Sequence, residues 1–175
     1  MQIKNLKSEI SNLKCDGGRM NRFFLFLAAG FGAGYAPIAP GTAGTLVAIP
    51  IFLVLSSIPF PLYELTILTF FFFASWISGE AERCWGRKDD PRIVIDEIMG
   101  YLITMLWLPR TILFIILGFL LFRFFDIVKP PPIRLLEKVE GGYGVVLDDV
   151  LAGVYANIVL QIVSLFIKSP LSPLY

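Results

Sequence analysis

The sequence predicts a helical, membrane-embedded chain, and three observations predict it. Apolar residues make up 56% of the 175 positions and mean hydropathy is +0.73, whereas soluble domains hold roughly 45–50% apolar residues. These residues gather in long runs separated by short charged or proline-rich stretches, as spanning or half-buried helices require. The lysines and arginines fall in segments that a single membrane face can hold in common. The length suits one domain with one core. The expected division is a polar basic tail over residues 1–22, one helical domain over 23–168 and a short tail over 169–175.

The tail carries Lys4, Lys7, Lys14, Arg19 and Arg22 with no apolar stretch ahead of a small-residue cleavage site, so it does not read as a signal peptide. Phe23–Phe31 reads as a short helix. Gly30–Thr45 is dense in glycine and proline and reads as a structured turn, with Thr42 or Thr45 capping the helix that follows. Apolar runs then cover Leu46–Ile58 and Leu65–Gly79, divided by a turn at Pro59-Phe60-Pro61. Each is shorter than the roughly 20 residues of a full span, which predicts tilt or partial burial. Glu80–Glu97 is a charged loop with a turn at Asp89-Asp90-Pro91.

The run Ile98–Phe122 is interrupted by Pro109-Arg110, and this break decides the topology. Folded as a hairpin about Pro109-Arg110, the run puts both of its charged flanks on one face. That face would then hold the tail, Arg83, Arg87, Lys88 and Arg92 of the first loop, and Arg123, Lys129, Arg134 and Lys138 of the second. Only Arg110 and Lys168 are left for the other side, in keeping with a cytoplasmic excess of positive charge. Val150–Ile167 is the last apolar run.

Composition also excludes. The chain has no histidine, which rules out a Ser-His-Asp triad, a Cys-His pair and a histidine phosphatase. Cys15 and Cys84 are far apart in sequence, suggest neither a disulfide framework nor a zinc site, and fit a reducing compartment. A net charge of +1 offers no field to attract nucleic acid.

The chemistry concentrates between Phe122 and Gly153. Arg123 and Asp126 share a helix face and Lys129 lies near that helix's end, which Pro130-Pro131-Pro132 terminates. Two cations about a carboxylate suit a phosphate held beside a metal ligand; membrane-edge snorkelling with Asp126 as counter-ion fits the same residues. Glu140-Gly141-Gly142-Tyr143-Gly144 leads to Asp148-Asp149 at the head of the final helix, where one acid could serve as an N-cap. Asp96-Glu97 precedes another helix, where favourable interaction with the macrodipole is an alternative explanation. Together, Asp96, Glu97, Asp126, Asp148 and Asp149 could supply oxygen ligands to a hard divalent cation such as Mg2+ and activate a water molecule.

The segments YAPIAPGTAGT, IVIDEIMGYLIT and FRFFDIVKPPPIR, followed by GGYGVVLDDVLAGVYAN, resemble the phosphatidylglycerophosphatase A family, from about Phe23 to Ile158. The resemblance implies an all-α fold, here expected as a compact, membrane-associated helical bundle with its active-site loops on one face. It implies a Mg2+-dependent phosphoric monoester hydrolase of the bacterial inner membrane that converts phosphatidylglycerophosphate to phosphatidylglycerol and phosphate. The family's motif positions correspond to Pro40-Gly41-Thr42, Gly44-Thr45, Asp96-Glu97, Arg123, Asp126, Lys129-Pro130 and Asp148-Asp149. The five acids are expected as metal ligands or water activators. Arg123 and Lys129 are expected to clamp the phosphate with help from Thr42, Thr45 and Arg134. The partners are then the phospholipid substrate and the membrane, with the site facing the cytoplasm and water attacking directly.

Two other readings compete. A phosphatidyl transferase using a CDP-alcohol would also cluster acids around a metal, but its Asp-Gly-x2-Ala-Arg pattern is missing. A non-enzymatic cation-binding membrane protein would set its acids facing each other within the bilayer, whereas here they lie at the ends of the runs.

Overall fold

A computed structural model describes residues 22–136 and 139–167. The basic positions expected on the tail before Arg22, together with Lys138, Lys168 and residues 169–175, lie outside the described residues. Every regular element among the described residues is helical. In chain order they are α1 (Arg22–Ala28), a 3-10 helix (Gly30–Tyr35), α2 (Pro40–Leu55), α3 (Phe60–Trp85), α4 (Ile95–Thr104), α5 (Ile112–Val128), α6 (Ile133–Leu136) and α7 (Gly142–Phe166).

Several helices begin earlier than the apolar runs suggest, because proline and glycine start them instead of preceding them. α2 starts at Pro40, whose missing N–H costs nothing in a first turn, after Ala39 turns the chain at φ 49°. Neither Thr42 nor Thr45 caps it; Thr45 is buried inside the helix and donates its hydroxyl to the Gly41 carbonyl at 2.9 Å. α3 takes the Pro59-Phe60-Pro61 turn as its entry and continues through Glu80 to Trp85, where Gly86 at φ 67° ends it. At 26 residues it is therefore a full-length helix, not a short one. α7 starts at Gly142, so Asp148 and Asp149 project from its second turn instead of capping it.

The chain does reverse where Pro109-Arg110 interrupts the apolar run. α4 ends at Thr104, residues 105–111 turn, and Thr111 caps α5 by accepting from the Phe114 N–H. α5 then stops at the triproline, with Lys129 at φ 45° donating its N–H back to the Phe125 carbonyl at 2.8 Å. The start of α4 and the end of α5 thus lie at one end of the bundle.

α4 is short and central. Ile95, Ile98, Met99, Tyr101 and Leu102 are all buried, among α2, α3, α5 and α7. Its closest crossing is with α7, where Gly100 and Gly153 meet: a Cβ on Gly153 would collide with the Gly100 carbonyl, and one on Gly100 would lie 2.7 Å from the Asp149 carbonyl. Gly142 makes the same kind of approach to Ser75 and Gly79 of α3. At the far end, the Asn157 amide donates to the carbonyls of Thr104 (2.8 Å) and Leu106 (2.7 Å), satisfying the end of α4.

α3 and α7 are long and apolar enough to cross a membrane, and only 28% and 33% of their most apolar stretches are buried, too little for core helices of a soluble protein. Their outward faces carry Leu65, Leu68, Phe72 and Trp76 on α3 and Ile158, Ile162 and Leu165 on α7, and α5 adds Ile116, Leu120 and Phe124. Exposed apolar surface spread over three helices in this way is the pattern of a membrane-facing or docking surface. Cys84 is disulfide-bonded, against the expectation that the cysteines suggest no disulfide framework and a reducing compartment. Cys15 lies outside the described residues.

Candidate active site

Three carboxylates meet where α4 and α7 begin their crossing. Asp96 and Glu97 occupy the first turn of α4 and Asp149 the second turn of α7, and one oxygen from each lies within 4.8 Å of the others. Asp96 and Asp149 are buried and Glu97 nearly so. Burial raises the Asp96 carboxyl well above its usual range, and the Glu97 charge raises it further. Burial also lifts Glu97 to about 8; the charges of Asp149 and Asp126 add to this, while a hydrogen bond from Asp96 and the charge of Arg123 oppose it. Several buried carboxylates this close are stable as anions only with a cation among them.

The other predicted residues surround this group in two ion pairs. Arg123 pairs with Asp126 three residues on, and its Nη1 stands 3.9 Å from Glu97 Oε1. Asp126 in turn lies beside Asp149. Lys129 Nζ donates to Asp148 Oδ2 at 2.6 Å, joining the left-handed end of α5 to α7. Three buried atoms of this constellation have no hydrogen-bond partner: Glu97 Oε2, Arg123 Nε and Asp148 Oδ1. Buried polar atoms are almost always satisfied, so an acceptor–donor–acceptor set left open in one place fits a cation and an anionic ligand. The donor set is all oxygen, as a hard divalent ion requires.

The first turn of α2 closes over the same group. A Cβ on Gly41 would collide with Glu97 Oε1 and stand 3.0 Å from Arg123 Nη1, so only glycine lets the helix start approach so closely. Thr42, the next residue, is half-buried in that turn. Thr45 is a turn deeper, with its hydroxyl already donated to Gly41. Arg134 is exposed on α6, where Nη2 donates to the Val128 carbonyl at 3.2 Å; it caps the end of α5 and is not among the carboxylates.

A brace that sequence reasoning passed over holds α4 in place. Asp90 receives both the backbone N–H and the guanidinium of Arg92, at 2.7 to 3.0 Å, and that guanidinium lies 4.4 Å over the Trp85 ring. Burial pushes the Asp90 carboxyl up, but the bonds and charge of Arg92 outweigh it and bring it below its usual value. Val94 N–H then donates to the Ala28 carbonyl at 2.9 Å, and α4 starts at the next residue. An Asp-x-Arg spacing was the available signal, but in sequence it is indistinguishable from an ordinary loop.

A family model described as phosphatidylglycerophosphatase A matches residues 26–164. Among curated proteins, one from Bacteroides thetaiotaomicron named "Putative phosphatidylinositol-3-phosphatase" is 42% identical over 146 residues, covering 79% of this chain and 91% of its own length. The phosphatidylglycerophosphatase A of Escherichia coli is 35% identical, over 83% of this chain and 86% of the relative. That of Haemophilus influenzae is 38% identical, over 77% and 84%. No solved structure matches.

Proposed function

Because this chain belongs to the phosphatidylglycerophosphatase A family, we propose that it removes the terminal phosphate of phosphatidylglycerophosphate, yielding phosphatidylglycerol and inorganic phosphate with Mg2+ as cofactor. The single observation that carries the metal assignment is the meeting of Asp96, Glu97 and Asp149 within 4.8 Å, beside a pair of basic side chains. These three acids hold the ion. Bound there, Mg2+ supplies Lewis-acid neutralisation of phosphate charge.

The chain's own residues supply the rest. Arg123, its fork held by Asp126, binds two phosphate oxygens side by side. Lys129 adds a point charge and Asp148 fixes its direction. The first turn of α2, at Gly41 and Thr42, offers backbone N–H groups at a helix start to the same phosphate. Thr45 supports that turn from within and Arg134 supports the end of α5; both act on the substrate through other residues. Water attacks phosphorus, the bond from phosphorus to the glycerol oxygen breaks, and that oxygen takes a proton from solvent as it leaves. Asp148 Oδ1, buried and without a partner, takes the proton of the attacking water. With α3 and α7 crossing the bilayer, the site sits at the lipid surface, and the lysines and arginines of the segments flanking it in sequence support a cytoplasmic face of the inner membrane.

A second substrate, phosphatidylinositol 3-phosphate, is favoured by the 42%-identical relative named "Putative phosphatidylinositol-3-phosphatase". Both lipids present a phosphomonoester on a diacylglycerol anchor. Phosphate release by the purified protein from each lipid, with Mg2+ and after exhaustive chelation, tests the reading. The expected result is faster turnover of phosphatidylglycerophosphate and none without the ion. Preference for the inositol lipid would reassign the substrate, and full activity after chelation would remove the metal.

A further inference from the structure

Two largely apolar cavities flank Trp107: one at the end of the bundle away from the acids, the other running from that end along α3 as far as Met99 and Val150, close to Glu97 and Asp149 in the chain. The larger, about 500 Å3, opens between the end of α2, the start of α3 and the α4–α5 turn, and is walled by Phe52, Phe60, Met105 and Leu108 together with the hydroxyl-bearing Ser56 and Ser57. The smaller, about 250 Å3, runs along α3 between α4 and α7, past Leu68, Phe71, Met99, Ile103 and Val150. Trp107 stands between them and lines both. Along α3, the smaller slot extends from Glu64 to Phe71, about 10 Å of helix.

Each slot has one charge at its rim, and the two charges are opposite. Arg110 borders the larger slot and is exposed, with no ion pair among the described residues. Glu64 borders the smaller slot and accepts the Trp107 indole N–H at 3.3 Å; it too has no cationic partner among the described residues. Two largely apolar slots under a cation and an anion complement one kind of molecule. We propose that this end binds a zwitterionic diacyl phospholipid, one chain in each slot astride Trp107, with its phosphate on Arg110 and its ammonium on Glu64. A singly anionic lipid would satisfy Arg110 and leave Glu64 facing a neutral headgroup. The headgroup positions at Arg110 and Glu64 lie at the end of the bundle opposite the catalytic acids, and the chain in the smaller slot runs toward them.

Trp107 reports its own occupancy. In the full chain with Trp76→Phe and Trp85→Phe, checked for intact helical circular dichroism, indole fluorescence is titrated in mixed micelles with phosphatidylethanolamine carrying brominated chains, and separately with brominated phosphatidylglycerol. Phosphatidylethanolamine should quench at a mole fraction about tenfold lower than phosphatidylglycerol, the step that one charge-assisted contact makes. Arg110→Gln and Glu64→Gln should each raise that mole fraction by a similar factor. Arg110 and Glu64 are exposed, so both variants keep the fold. Equal quenching by the two lipids, tighter binding of phosphatidylglycerol, or insensitivity to both substitutions would overturn the proposal. Quenching is read without turnover, so its outcome is independent of the phosphatase assignment.

Discussion

Arg123 Nη1 and Glu97 Oε1 face each other at 3.9 Å, brought together by the α4–α5 reversal and covered by Gly41. The distance is longer than a hydrogen bond, and each side chain keeps one buried atom unpartnered, so the pair leaves room for a third party. Arg123→Lys keeps the charge and loses the planar fork. Turnover should fall about 10²-fold or more, as when one transition-state donor is removed. Steady-state phosphate release measures it, and unchanged kcat would show that Arg123 does not contact the reacting phosphate.

Gly41 and Gly153 should respond differently to alanine. At Gly41 the added methyl meets side-chain atoms, Glu97 Oε1 and the Arg123 guanidinium, which can swing aside. The helix tolerates it, since Gly41 has no positive φ in that first turn and alanine is a good helix former. Gly41→Ala should therefore keep its melting temperature and lose about 10²-fold in kcat through misplaced side chains. At Gly153 the methyl meets the Gly100 backbone carbonyl, which cannot swing, and Gly153→Ala should melt at a clearly lower temperature. Thermal unfolding in detergent, run beside the assay, separates the two.

Without a divalent ion, stability should fall as pH rises. Glu97 is raised to about 8 in the fold, chiefly by burial, and Asp96 is raised as well, whereas unfolded carboxyls titrate near 4. Between those values the native state holds protons that the unfolded chain has released, so raising the pH favours unfolding. The loss begins above the unfolded value and is complete once pH passes about 8. Melting of chelated protein across pH 5 to 9 gives the slope; Mg2+ should flatten it and release protons on binding. A chelated protein whose melting temperature climbs over that interval would contradict the burial of these acids.

Lys129 and Asp148 should behave as one unit. They share a 2.6 Å ion pair between the end of α5 and α7. Lys129→Ala leaves a buried carboxylate unpaired, and Asp148→Asn leaves the ammonium without its orientation. The double variant should lose less than the two single losses combined, with a coupling of about 0.5–3 kcal/mol in kcat/KM. Additive losses would mean that the two act apart.

Asp149→Asn keeps the volume and removes one of the three clustered carboxylates. It should abolish Mg2+-dependent turnover while leaving the helical circular dichroism intact. Full activity would place the ion elsewhere.

The sequence was legible where chemistry and topology share a signal. Pro109 between two apolar halves told the direction of the return, and so put Arg123 and Lys129 at the same end as Asp96. Helix starts were not legible, because Pro40, Pro61 and Gly142 read as turn residues while in the fold they occupy first turns. That misreading hid the depth of Asp149, which looked like a cap and is a buried second-turn residue. The contact between Gly41 and Glu97 was invisible for a different reason: it is made by a side chain that is not there.

The Gly100–Gly153 crossing makes the spacing among Asp96, Glu97 and Asp149 a property of two backbones in direct contact. The outward-facing side chains of α3, α5 and α7 bear little on that spacing. The outer coat of such a protein can therefore drift with the fatty acids of its host, while two hydrogen atoms in the middle hold the gauge.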